Sequence, residues 1–168
     1  MALVAGEMVA LGDGIEAIVR PIVPPDADAL VRFHGRLSLT SVSRRYFYPH
    51  LELGTEEVAH LTEVDGVDRV ALVVERDGEL IAVGRYDRLE DRTEAEVAFV
   101  VADPYQHLGI ATMLLQRLAE LARSTGVTHL VAEVLAENHA MLSVFHAAGF
   151  PMASTCEWGT VELKMAIT

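Results

Sequence analysis

The chain has 168 residues, 51% hydrophobic and 23% charged, which fits one globular domain and excludes a disordered chain. A formal net charge of −12 argues against a nucleic-acid partner, because phosphate contacts need clustered lysine and arginine; a cationic partner is compatible. The single cysteine, Cys156, cannot form an internal disulfide, and no apolar run approaches membrane-spanning length. The first residues are apolar but short, carry Glu7 and lack a basic lead. These features predict a cytoplasmic protein with no membrane partner.

Gly6, Gly12 and Gly14 interrupt any period at the start, so residues 1–14 are expected to form a loose extension to a single domain over 15–168. A first strand is expected over 15–22, stopped by Pro24-Pro25. Asp26 is then placed to cap a helix with Leu30, Phe33, His34 and Leu37 on one side. A second helical stretch covers 37–48 and ends at Pro49, and a short third helix covers 55–61. The β-branched runs 69–75 and 79–86 flank Arg76-Asp77-Gly78, a hairpin signal. A looser turn leads to a strand over 94–101. The helix over 109–125 has Ile110, Met113, Leu114, Leu118 and Leu121 as its buried stripe and Gly126 as its stop. A strand over 129–135, a helix from Asn138 to Gly149, and a hairpin around Trp158-Gly159 complete the chain. Cys156, within that hairpin, reads as a lone buried cysteine. The order β-α-α-β-β-β-α-β-α-β-β, with the short helix over 55–61 before the first hairpin, describes an α/β fold of the mixed α+β kind. Its mixed, mostly antiparallel sheet has about seven strands flanked by helices.

The most informative stretch runs from Ala95 to Thr112. It reads as a strand, a Gln-x-x-Gly-x-Ala turn from Gln106 to Ala111, and the first turn of a helix. That order aims the N–H groups of His107, Leu108, Gly109, Ile110 and Ala111, and the Thr112 hydroxyl, at one spot beside a strand end. With the positive end of the helix dipole, this is an anion site suited to a phosphate or pyrophosphate. Gly109 allows close approach of backbone to a ligand. A dinucleotide-binding fold fits poorly, since the turn has one glycine rather than three and follows antiparallel hairpins.

Alternation along the strand puts Glu94, Glu96, Ala98 and Val100 on one face and Ala95, Val97, Phe99 and Val101 on the other. Glu96 then lies in a small, apolar stretch where partial burial would raise its pKa. The two glutamates also fit the solvent side of a half-exposed strand. The seven histidines form no metal-binding motif; His139 and His146 lie too far apart on one helix. His34 reads as a hydrogen-bonded core or cleft residue.

The run Ala95-Glu-Val-Ala-Phe-Val-Val-Ala-Asp103, the turn after it, Asn138 and the ending Ala147-Ala-Gly-Phe150 resemble the Gcn5-related N-acetyltransferases, the GNAT family, over nearly the whole chain. Within that family the chain resembles the bacterial protein lysine acetyltransferases acting on acetyl-CoA synthetase. The segment from Phe33 to Ser41 and Arg45-Tyr46-Phe47 carry that likeness too. The resemblance implies acetyl-CoA as co-substrate and no metal. It places the diphosphate on Gln106 to Thr112, the pantetheine amides along the backbone of Phe99, Val100 and Val101, and the pantetheine arm near Asn138. It implies Glu96 as general base in direct attack within a ternary complex. The implied acceptor is the ε-amine of a lysine on a partner protein, plausibly an acyl-CoA synthetase, with residues 38–48 lining the acceptor side. An open groove there would suit a protein and a closed pocket a small molecule. One departure is Phe145, which stands where many relatives have a proton-donating tyrosine. Members of the subgroup often carry a ligand-sensing or synthetase-like domain, which these residues do not include. The alternatives are a small-molecule amine acetyltransferase and a non-catalytic acyl-CoA-binding sensor; either a monomer or a homodimer is compatible.

Overall fold

The computed structural model describes residues 6–168. Eight strands form one sheet in the order β1-β2-β3-β4-β5-β6-β8-β7. They are β1 (Glu7–Ala10), β2 (Glu16–Pro21), β3 (Arg69–Arg76), β4 (Glu79–Arg88), β5 (Glu94–Val101), β6 (His129–Leu135), β7 (Met152–Glu157) and β8 (Thr160–Ala166). All neighbours are antiparallel except β5 and β6. The helices are α1 (Ala27–Gly35), α2 (Leu39–Tyr46), α3 (Thr55–Thr62), α4 (Ile110–Ser124) and α5 (His139–Ala147).

Strand alternation divides the core into two layers. On β3, Val70, Leu72 and Val74 join α4 and α5 in one cluster, while Ala71 and Val73 join Leu30 and Phe33 of α1 in the other. The helices therefore cover both faces of the sheet. Leu114, Leu115 and Leu118 of α4 have no exposed surface, and each such side chain stabilises the fold by about 1.5–3 kcal/mol. The buried stripe of α4 differs from the expected one: Leu115, Ala119 and Ala122 are buried, and Met113 and Leu121 lie at its margins. Alanines at two of those positions let the helix lie close to the sheet, so they occupy its inner face in place of longer side chains.

Three further expectations are corrected. Residues 7–10 are not a loose extension: β1 pairs with β2, and Glu7 forms an ion pair with Arg117 of α4 at 2.6 Å. This strand is the eighth, beyond the seven expected; residues 1–5 of the expected extension lie outside the described residues. Asp26 does not cap α1 with its side chain. Its carboxylate accepts two hydrogen bonds from Arg20 at 2.8 Å each and one from the Val23 N–H, closing a 3-10 turn ahead of the helix. Cys156 is exposed rather than buried, because β7 is an edge strand whose residues after Met152 all face solvent.

Turn chemistry behaves as expected. Asp77 (φ 53°) and Gly78 (φ 79°) both occupy the left-handed region, as a two-residue I′ hairpin requires.

Gly84 on β4 sits where sheet, helix and cleft meet. A Cβ there would lie 2.9 Å from Cδ1 of Phe99 and 3.3 Å from Cβ of Leu114. Gly84→Ala is expected to destabilise the protein by about 1–3 kcal/mol through overpacking, read as a lower midpoint in chemical denaturation.

Candidate active site

Strands β5 and β6 stay together for only three residue pairs, Glu94 with His129, Ala95 with Leu130 and Glu96 with Val131. Beyond Glu96 they part. Strand β5 remains paired with β4 as far as Val101, and β6 remains paired with β8 as far as Leu135, so each half of the sheet is anchored from its outer side. A cavity of about 700 Å³ fills the opening, bounded by residues 97–101 of β5, 132–134 of β6, the turn before α4 and the start of α5. Ser41, Arg44 and Arg45 of α2 complete its wall. The edge of β5 facing it has backbone groups with no strand partner, as an added extended segment would need.

The turn at one end of this cleft is built from left-handed backbone. His107 has φ 65° and Gly109, the residue before α4, has φ 81°. A Cβ on Gly109 would meet no protein atom within 4 Å, so the conformation calls for glycine and the space beside it opens into the cleft. The N–H groups of Ile110, Ala111 and Thr112 open the helix and have no intrahelical acceptor. His107, Gly109, Ile110, Ala111 and Thr112 all line the cavity. Leu108 does not. Its side chain packs on the core and its carbonyl accepts a hydrogen bond from the Gly12 N–H at 3.1 Å. In a turn this tight, one residue must point inward.

Gln106 lines the cavity, but its amide Nε2 donates to Ser41 Oγ and to the Val101 carbonyl, at 3.1 Å each. Asp103 accepts from the Ser38 N–H at 3.1 Å, the Ser38 hydroxyl at 2.7 Å and the Ser41 hydroxyl at 3.2 Å. Burial pushes the Asp103 carboxyl up, but those serine hydrogen bonds together hold it below the usual carboxylate range. These contacts clip the N-terminus of α2 to the turn before α4.

Glu96 stands at the vertex, where the last β5–β6 pair ends. The residue is exposed on the α2 side of the sheet and lies at the mouth of the cavity rather than in its wall. Partial desolvation of its carboxyl raises the pKa, with Glu133 and Asp87 adding to the rise and Arg45 opposing it. Asp87 is the residue directly opposite Glu96 on β4. Glu133, two residues beyond Val131 on β6, reaches the cavity wall from the other half of the sheet. Sequence reasoning passed over Glu133; its signal was an acid alternating with the buried Leu130, Ala132 and Val134 of β6.

Asn138 is buried, lines the cavity, and caps α5 by accepting from the Met141 N–H at 3.2 Å. Phe145 is also buried in that wall, its ring centroid 6.0 Å from that of Phe99. It offers no proton. His34 is buried and its Nε2 lies 2.6 Å from the His50 carbonyl, a structural hydrogen bond away from the cleft. Among the described residues no group of histidine, cysteine or acidic side chains converges as a metal site. No helix among the described residues is long and apolar enough to cross a membrane.

Arg85 of β4 lies beneath α2. It is 6% exposed, its guanidinium donates to the Leu61 carbonyl at 3.2 Å, and burial, reinforced by Arg45, pushes its pKa down to about 10.

The model of the acetyltransferase (GNAT) family matches residues 37–150, which spans the cleft from α2 to α5. The chain is 40% identical to the GNAT domain of Streptomyces lividans PAT, with a TM-score of 0.90 and 96% of both chains covered. It is 31% identical to a Pseudomonas aeruginosa acetyltransferase, over 83% of this chain and 77% of that protein. It is also 32% identical to acetyltransferase Pat of Mycolicibacterium smegmatis, over 78% of this chain, and there it spans 40% of the relative's length. A split sheet with an amide-lined turn at the mouth of its cleft thus coincides with likeness in sequence and in fold: the chain belongs to the GNAT acetyltransferase family and is related to the bacterial protein acetyltransferases.

Proposed function

We propose that this enzyme transfers the acetyl group of acetyl-CoA to the ε-amine of a lysine on a partner protein, an acyl-CoA synthetase being the acceptor class, with Glu96 as general base. The observation that carries the reading is the parting of β5 from β6, with open main-chain donors at one end of the gap and a carboxylate at its vertex. Bound there, acetyl-CoA supplies a thioester carbonyl open to an amine.

The residues at hand fit that ligand. The N–H groups around Gly109 and the start of α4 suit the diphosphate, and the free edge of Phe99, Val100 and Val101 suits the pantetheine amides. Asn138 stands beside that arm. Gln106 serves by holding α2 against the turn.

An acceptor ammonium must lose a proton before its nitrogen can attack, which costs about 4.6 kcal/mol at pH 7 for a free lysine. Glu96 takes that proton, and its raised pKa moves it toward the acceptor's range and makes it a better base. No tyrosine stands at position 145, so the coenzyme thiolate leaves as an anion or takes its proton from water. An exposed Glu96 and the exposed Leu39, Phe47 and Tyr48 on the acceptor side favour a protein over an enclosed small amine. Labelled acetyl-CoA incubated with cell lysate, followed by mass spectrometry of proteins and metabolites, tests the reading. Label in lysine side chains supports it, label only in small amines moves the acceptor class, and binding without transfer leaves a sensor.

Glu96→Gln is expected to keep acetyl-CoA affinity and to lower kcat at least tenfold, at the low end of general-base effects. The base works ionised, so wild-type kcat/KM falls as pH drops through a pKa above the ordinary glutamate range, and this limb vanishes in the variant. Because the folded-state pKa is raised, ionisation opposes folding increasingly as pH climbs above the ordinary glutamate value, and fully once pH exceeds the raised one. The glutamine variant is therefore expected to melt no lower than wild type at pH 7. Gly109→Glu, by bulk, charge and strain at φ 81°, is expected to weaken acetyl-CoA binding at least tenfold by calorimetry.

A further inference from the structure

Acids outnumber bases 25 to 13 in this chain, so a basic side chain has no shortage of partners. Of the 13, only Arg44, Arg45, Arg85 and Arg123 take part in no ion pair among the described residues. Arg123 lies far along α4 and donates to the Ile167 carbonyl. The other three lie around α2, although Arg85 lines, with Arg45, a separate small cavity rather than the active-site cavity. Arg44 and Arg45 line the active-site cavity from α2, and Arg85 is buried under the same helix. The Nε of Arg44 is buried with no hydrogen-bond acceptor.

Register fixes how this group sits against the carboxylates. Arg85 lies opposite Ala98, and Asp87, two residues further along β4, lies opposite Glu96. The α2 side of the sheet therefore carries Glu96 and Asp87 at the vertex and Arg85 two residues back along β4, opposite Ala98, which lines both the cleft and the small cavity that holds Arg85. A cation as buried as Arg85 is costly without a counter-ion, and a fold this acidic could have neutralised it and the half-buried Arg44 and Arg45. Their lasting separation from the carboxylates a few residues away divides the site into an anionic and a cationic half.

We propose that Arg44 and Arg45, with Arg85 behind them adding its charge, form an anion-binding subsite for the acceptor, so that the enzyme selects amines carrying a carboxylate beside the reactive nitrogen. The ammonium faces Glu96 and Glu133, and the carboxylate faces the arginines, whose planar forks suit it. The carboxylate comes from an Asp or Glu flanking the target lysine, or from a free amino acid. This inference rests on the acetyltransferase reading and deepens its acceptor side.

The test uses the purified chain, acetyl-CoA and a peptide set in which one lysine is flanked by aspartate, alanine or arginine, with free lysine and its decarboxylated counterpart cadaverine as small amines. Wild type is expected to favour the aspartate-flanked peptide over the alanine-flanked one by at least tenfold in kcat/KM, less so at high salt. If free lysine is favoured over cadaverine by a similar factor while peptides are indifferent, the carboxylate source is a small molecule. Arg45→Gln and Arg44→Gln are expected to raise KM for the carboxylated acceptor, shrink the preference toward unity and leave KM for acetyl-CoA unchanged. These positions are chosen because Arg85 is buried and its loss would also affect folding. Equal rates on all flanks together with equal rates on free lysine and cadaverine, or variants that raise KM for acetyl-CoA instead, overturn the subsite while the acetyltransferase reading stands. Failure to acetylate any amine despite bound acetyl-CoA overturns both.

Discussion

The three-residue contact between β5 and β6 is the constraint on which the rest depends. A parallel pair that continued to the ends of both strands would satisfy their backbone groups and leave no cleft. Here each strand is committed to its outer neighbour, β4 or β8, over its whole remaining length. The sheet therefore holds together at its edges and opens at its middle. The opening produces a cavity and an unpaired strand edge, and it places whatever residue ends the pairing at the apex. That residue is Glu96.

Rigidity around the gap comes from contacts that look peripheral in sequence. The Gly12 N–H bonds the Leu108 carbonyl, and a Cβ on Gly12 would lie 3.1 Å from that oxygen, so the N-terminal segment backs the glycine turn directly. The Glu7–Arg117 pair ties β1 to the helix that follows the turn. On the other side, Asp103, Ser38, Ser41 and Gln106 lock α2 to the same loop. The N–H groups of the turn are thus held from two directions, the preorganisation that the proposed diphosphate site would need. Gln106 illustrates the division of labour: its backbone belongs to the turn while its side chain braces the neighbouring helix.

Local signals carried most of the fold. The β-branched runs, the Asp77-Gly78 and Trp158-Gly159 turns, and Asn138 as cap each depend on near neighbours in sequence, and each forms as read. Long-range partners were less legible. Glycines in the first 14 residues hid β1, because an edge strand of four residues needs only a partner, not a pattern of its own. Asp26 looked like a helix cap until Arg20, six residues upstream on β2, claimed its carboxylate. Leu108 sat inside the motif yet faces the core. Glu133 could be found only once β6 was known to flank the gap. The gap itself has no marker in either strand's sequence, since it arises from what the outer strands hold.

The charges around the vertex follow from the same geometry. Where two halves of a sheet diverge, side chains on their common face are neither packed between strands nor fully solvated, so small changes in placement shift their ionisation. Three carboxylates, Glu96, Asp87 and Glu133, share that face, and their mutual repulsion together with desolvation makes Glu96 more basic. Arg45 alone opposes the rise, without outweighing it, and does not close into an ion pair with any of them. A tight Arg45–Glu96 pair would lower the glutamate's pKa and engage a carboxylate oxygen. With the cation nearby but unpaired, the carboxylate keeps its raised pKa, as the proposed role of Glu96 as base would need.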